Sequence, residues 1–170
     1  MGNDKLILDY VYGHEQALAD CVVLTQPIGG GLVKDYTWKQ MMDEARRMAS
    51  HLRSAGVTPG ARVAMLAKNS AHFMIAELSI WMAGGTTVAI YPTESRETVS
   101  YVLEHSGASL LFVGKLDTWE MQAPAVPAGL PCIERPLAPS TGYPTWDDIV
   151  ARTPPIEGQP ARRAQDVAMI

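Results

Sequence analysis

Apolar residues recur at helical spacing in three central stretches of the chain, with short β-branched runs between them. In the first stretch, Trp38, Met41, Met42, Ala45, Met48, Ala49 and Leu52 fall on one helical face,. Thr37 with Gln40 supplies a capping box, Arg46, Arg47 and Arg53 suit the C-terminal half of the dipole, and Gly56 followed by Pro59 ends the helix,. Residues Arg62 to Ala67 then read as a buried strand, and Asn69 or Ser70 caps a second helix running through Met82. This helix is apolar almost all round, so it is expected to be covered on several sides. Gly84-Gly85 closes it, Thr86 to Tyr91 gives another strand, and Ser95 opens a third helix with an inner face of Val99, Val102 and Leu103. Gly107 ends that helix before a strand at Ser109 to Val113. Strands alternating with helices in this way predict βαβ units, a parallel sheet and right-handed crossovers.

Upstream, Cys21 to Gln26 and Leu32 to Tyr36 are strand-like runs separated by Pro27-Ile28-Gly29-Gly30-Gly31, the pattern of a β-hairpin,. Downstream the texture changes: residues Ala123 to Pro144 hold six of the chain's 12 prolines. Only a short strand at Cys132 to Glu134 is expected there. Thr145-Trp146-Asp147-Asp148 is a second capping pattern, opening a short helix to about Ala151,. A polar connection follows, and Asp166 to Ile170 reads as the beginning of a strand. The expected fold is α/β in three layers: a mostly parallel sheet with flanking helices, a compact core from about residue 20 to 116, an irregular segment 123–144 and a final strand 166–170. Because that strand has nothing after it, residues 1–170 read as an incomplete domain.

Composition narrows the classes. With 47% hydrophobic residues in 170, the chain has enough apolar material for one real core,. Fourteen basic against 18 acidic residues, without a basic block, argues against nucleic acid as a partner,. Cys21 and Cys132 form no ligand-type spacing and read as free thiols of a reducing compartment,. The N-terminus lacks the apolar core of a signal peptide, and Leu6 stands where a myristoylation motif wants Ser or Thr,. The most apolar span, Phe73 to Ile90, is interrupted by Glu77 and Gly84-Gly85, which suits a helix and a buried strand better than a membrane span,. The expectation is a soluble, cytoplasmic protein without a transmembrane segment; a peripheral position at a membrane stays open.

Candidate chemistry is sparse. A phosphate loop needs a strand, glycines and then a helix N-terminus. Gly29-Gly30-Gly31 lies between two strands, and Ser140-Thr141-Gly142 lies in proline-rich coil without a lysine, so both read as turns. His14, His51, His72 and His105 have no metal-ligand spacing, and two of them fall at helix C-termini where partial positive charge is useful,. Glu77, inside the apolar helix, is expected to lie on an exposed strip, since an unpaired buried carboxylate is costly. Asp147-Asp148 is accounted for by the capping pattern. No catalytic residue and no metal ligand is assigned.

Several segments in order resemble one family. Asp35-Tyr36-Thr37-Trp38, Gly56-Val57-Thr58-Pro59-Gly60-Ala61-Arg62-Val63-Ala64, Lys68-Asn69-Ser70, Ala83-Gly84-Gly85, Val88-Ala89-Ile90-Tyr91-Pro92-Thr93 and Val102 to Ser109 are similar to the opening of the AMP-forming, adenylate-forming superfamily. Ala61 replaces the usual Asp. Ile90-Tyr91-Pro92-Thr93 resembles the long-chain fatty acid–CoA ligase branch of the acyl-CoA synthetases, and the final Asp166-Val167-Ala168-Met169-Ile170 resembles the strand that leads into the family's phosphate loop. The resemblance implies an N-terminal portion ending before that loop. It implies a parent enzyme using ATP, Mg²⁺ and CoA: a fatty acid or related carboxylate is adenylated and then passed to CoA as a thioester. It implies that this portion alone is inactive, binds none of these cofactors firmly, and exposes apolar surface through which it self-associates. Tyr91, Pro92 and Thr93 are implied CoA contacts, although the same residue types also serve a plain strand-to-helix turn. The competing reading is a non-catalytic, stand-alone α/β module that binds another protein.

Overall fold

The computed structural model describes residues 5–170. Its element order is α1 (Ile7–Ala17), β1 (Val22–Gly29), β2 (Leu32–Thr37), α2 (Trp38–Ser54), β3 (Arg62–Leu66), α3 (Ala71–Ala83), β4 (Thr86–Ile90), α4 (Arg96–Ser106), β5 (Leu110–Val113), α5 (Trp119–Gln122), a 3₁₀ turn (Ala123–Ala125), β6 (Cys132–Glu134) and α6 (Trp146–Arg152). The main sheet has four strands in the order β4-β3-β5-β6, all parallel; β1 and β2 form a separate antiparallel hairpin. The predicted α/β class with a parallel sheet and flanking helices is therefore the observed one.

The strand order explains the layers. From β3 the chain steps one way to β4, then crosses back over β3 to β5 and on to β6. Right-handed crossovers in opposite directions put their helices on opposite faces. Accordingly α3 packs with α2 over Val63, Met65 and Phe112, while α4 and Trp119 of α5 pack over Ala64, Leu66, Leu111 and Val113. Successive residues of β3 thus serve different cores, the two-residue alternation of a strand covered on both sides. Such a sheet carries continuous apolar runs, as Val63–Leu66 and Leu110–Val113 do.

Local signals act where the sequence places them. The Thr37 hydroxyl accepts the Gln40 N–H, and the Gln40 side chain accepts the Thr37 N–H in return. Ser95 and Thr145 cap α4 and α6 through the N–H groups of Thr98 and Asp148. At α3 the mechanism differs from the expectation: the Ser70 side chain makes no capping bond. Instead Gln26, buried on β1, accepts the Ala71 N–H through its Oε1 at 2.8 Å, so the hairpin caps the helix. α3 ends at Gly84 with φ +98°, a conformation that strains any side-chain-bearing residue,.

Three differences stand out. α1, α5 and the 3₁₀ turn have no counterpart among the predicted elements; the inner face of α1 is reduced to Leu8 and Tyr12, too few apolar positions to show a period, and α5 is a single turn. Glu77 is not on an exposed strip: it is 6% exposed, its Oε1 has no hydrogen-bond partner among the described residues, and burial raises its pKa. Its strip of α3 is covered, so the burial statistics for glutamate misplace it. Finally, in place of the expected strand, the segment 166–170 makes one isolated bridge, Thr87 with Met169, running parallel to the outer edge of β4 with Ala168 O accepting the Thr87 N–H.

Candidate functional site

In a doubly wound sheet, the place where the chain leaves in two directions opens a crevice beyond the carboxyl ends of the strands. Here that place is the end of β3. A cleft of about 410 Å³ lies there, lined by Ala67, Lys68, Asn69, Phe73, Ala89, Ile90, Tyr91 and Pro92. Its walls are the turn after β3, the first turn of α3 and the turn after β4. Lys68 forms an ion pair with Asp117 at the rim, and its N–H donates to the Lys115 carbonyl at 2.8 Å. That pairing holds Asp117 below the ordinary aspartate range, the hydrogen bond from Lys68 acting first.

Two of the three sequence-assigned contacts line this cleft. Tyr91 is 75% exposed, so its ring is presented to solvent at the cleft mouth. Pro92 lines the cleft as well, and its carbonyl accepts from the Thr118 hydroxyl and from Gln122 Nε2. Gln122, itself buried, also donates to the Glu94 carbonyl at 2.9 Å, so the turn is tied to α5 at both ends. Thr93 is exposed and does not line the cleft.

Behind the cleft stand groups that the sequence does not announce. Arg135, one residue past β6, is 2% exposed. Its Nη1 donates to the His72 carbonyl at 2.9 Å and approaches Met65 Sδ at 3.9 Å. Burial lowers its pKa to about 9, which leaves it charged at neutral pH. Gly114 makes room for it, because a Cβ at that position would overlap both Nη2 and the Ala67 methyl. A signal exists in retrospect: Ile133 faces the α2–α3 side, and the residue two positions on shares that side of an extended strand.

On that same face, Glu44 Oε2 accepts from His72 Nε2 at 2.9 Å and from Trp146 Nε1 at 3.0 Å. Burial pushes Glu44 up, but the His72 hydrogen bond and charge together with the Trp146 bond outweigh it, and its pKa falls below the ordinary value of 4.5. His72 stands edge-on to both Tyr36 and Trp146. This cluster joins α2, α3 and α6.

A larger hollow, about 610 Å³, lies at the opposite end of the sheet beside Arg62 and Thr86. Among its arginines, Arg53 donates to the Met82 carbonyl and Arg162 to the Gly85 carbonyl, so their charge serves the C-terminal end of α3,. Size alone does not make it the better site.

The glycine and hydroxyl decoys behave as turns. Gly29, Gly30 and Gly31 all have positive φ within the hairpin, and Thr141 donates its N–H and hydroxyl to the Glu134 carboxylate. Among the described residues no three His, Cys, Asp or Glu side chains are grouped to hold a metal ion.

Comparison with known proteins gives the family. A long-chain-fatty-acid–CoA ligase of Mycobacterium bovis is 32% identical over 112 residues, 66% of this chain and 18% of that protein. Gramicidin S synthase 2 of Brevibacillus brevis is 39% identical over 75 residues, 44% of this chain and 2% of that protein. An anthranilate CoA ligase solved with anthranoyl-AMP superposes with a TM-score of 0.82 at 20% identity, covering 99% of this chain and 32% of that one. A benzoate CoA ligase from Burkholderia xenovorans gives 0.76 at 20% identity over 95% of this chain and 31% of that one. At such identities the superpositions speak for the fold. This chain spans about a third of those structures and a smaller share of the curated relatives. The model of the family described as AMP-binding enzyme matches residues 14–170, and the chain belongs to that family.

Proposed function

We propose that the chain serves as the N-terminal part of an ATP-dependent, AMP-forming acyl-CoA ligase, one that activates a fatty acid or related carboxylate and passes it to CoA. The observation that carries this reading is the family match over residues 14–170, with a long-chain fatty acid ligase matched over 66% of the chain among the relatives. A gramicidin S synthase matches as well, so the choice of branch rests on Ile90-Tyr91-Pro92-Thr93.

Within this reading the chain supplies scaffold and one wall of a ligand crevice. Tyr91 and Pro92 present an aromatic face and a rigid turn at the cleft mouth, and Thr93 flanks them; these three are the proposed CoA contacts. The nucleotide-gripping and catalytic groups belong to the remainder of the enzyme, so the chain alone is inactive. No helix among the described residues is long and apolar enough to cross a membrane; the proposed location, the cytoplasm with or without a peripheral position at a membrane, rests on the ligase reading and not on that absence. Exposed Ile28, Leu32 and Val33 at the hairpin tip offer surface for self-association.

The experiment is thioester formation by the longer enzyme that this reading proposes, across carboxylates of increasing length. Formation of a fatty acyl-CoA is the expected result. Tyr91→Ala is expected to raise KM for CoA about tenfold while leaving the KM for ATP unchanged, as loss of a binding contact does. Aminoacyl-adenylate formation without any CoA thioester would replace this reading with the peptide-synthetase one. A native chain with no adenylating partner would favour the interaction module.

A further inference from the structure

Arg135 is a buried cation whose charge no acidic side chain pairs among the described residues. Its Nη1 is spent on the His72 carbonyl, while Nε and Nη2 have no hydrogen-bond partner. These two unspent donors lie on the same edge of the planar group, the edge that grips a carboxylate with two parallel hydrogen bonds. Burial strips this guanidinium of water, and the His72 carbonyl and the Phe73 ring return only part of that solvation,. Arg135 also lies directly behind the cleft wall. The Phe73 ring stands 5.7 Å from its Cζ, Gly114 removes the side chain that would push Nη2 away from Ala67, and both Phe73 and Ala67 line the cleft. Phe73 is only half-buried, whereas Met65, Leu66, Phe112 and Val113 of the sheet are fully buried.

We propose that Arg135 anchors an oxyanion site at the carboxyl ends of β3 and β5, entered from the Lys68–Tyr91 cleft when the Phe73 ring swings aside, and that its ligand is a small carboxylate. The guanidinium edge offers two donors, matching the two oxygens of a carboxylate. A phosphate dianion would be left with oxygens facing Ala67 and Phe73, and the Lys68 ammonium is already paired with Asp117. The ligand's alkyl part would lie along the apolar side of the cleft at Ile90 and Pro92. The proposal is independent of the ligase reading, since it concerns this chain and no adenylation step.

The test uses the chain labelled with ¹⁵N, following the Arg135 Nε–H resonance during titration with sodium butyrate against sodium chloride at matched ionic strength. The expected result is a saturable shift with a half-point of roughly 1–10 mM, the affinity of a weak, single-anchor ligand. Phe73→Ala, which keeps the guanidinium and opens its wall, should lower the half-point at least about threefold, because a gate reduces apparent affinity by the fraction of time it is open. In Arg135→Lys, saturation transfer to butyrate should weaken about tenfold, as one charge-assisted hydrogen bond is lost. A resonance unmoved by butyrate, or moved equally by chloride, overturns the proposal in the parent and in Phe73→Ala alike. So does a water cross-peak on Nε–H that butyrate fails to displace, which would assign this edge to a structural water. Inorganic phosphate binding more tightly than butyrate would overturn the carboxylate assignment.

Discussion

The segment from β3 to β5 and the segment from Gly114 to α6 share one sheet but are specified differently. In the first, most boundaries carry a local signal, such as Ser95 and Gly107 around α4, and the start of α3, capped by Gln26 of the hairpin, is the exception. In the second, regular structure amounts to a few short pieces, and order comes from distant anchors. β6 pairs with β5, Arg135 reaches the His72 carbonyl, and Trp146 reaches Glu44 across 102 positions of sequence. Prolines limit what the second segment can form by itself, yet they leave its side chains free to fill the first segment's core. Both regions should therefore unfold together.

Phe112→Ala and Trp146→Ala probe that claim with the largest expected effect. Both side chains are fully buried and their rings lie 5.8 Å apart. Each substitution should cost about 3–5 kcal/mol in urea denaturation, and the double variant should cost less than the sum because the two share a contact. If Trp146→Ala were nearly neutral, the second segment would be a passive wrap. Glu44→Gln comes next, at about 1.5–3 kcal/mol, since it removes a charged acceptor serving His72 and Trp146 at once,. Gly114→Ala should cost about 1–3 kcal/mol by forcing a methyl against Arg135 and Ala67,. The caps should give the smallest loss, about 1 kcal/mol for Thr37→Ala, with Thr145→Ala similar if α6 belongs to the same cooperative unit,.

Two carboxyls of the helices on this face, half-buried Glu44 and buried Glu77, should respond to pH with opposite signs. Glu44 has a lowered pKa, so its stabilisation is present above 4.5 and is lost as pH falls through its folded-state value,. Glu77 has a raised pKa, so its contribution is full below 4.5 and is lost as pH rises through its folded-state value,. Denaturation midpoints across pH 3 to 8, an approximate window bracketing both transitions, check this. Glu77→Gln should abolish the loss on the rising side and leave the acid-side loss attributed to Glu44.

How far the sequence could be read follows from the same contrast. Helix periods, caps and stops place α2, α3, α4 and the core strands because those signals lie within a few residues of what they determine. α1 escapes because its buried face is only Leu8 and Tyr12. Gln26 capping α3, Arg135 behind the cleft and Glu44 beneath His72 escape because each acts on a partner far away in sequence. Glu77 is misjudged for the converse reason: its neighbours on α3 show a helix apolar on all sides, and the general preference of glutamate for solvent points the wrong way. Of the cleft, the Tyr91–Pro92 turn is legible through its family resemblance, whereas the half-buried Phe73 looks like ordinary core.

The most direct measurement of the functional account is carboxylate-dependent ATP–pyrophosphate exchange, run side by side on this 170-residue chain and on the longer enzyme of which it is proposed to be the N-terminal part. The account predicts exchange from the longer polypeptide, stimulated by fatty acids, and none above blank from the chain. Exchange by the chain alone would contradict it, as would a longer polypeptide that never adenylates a carboxylate.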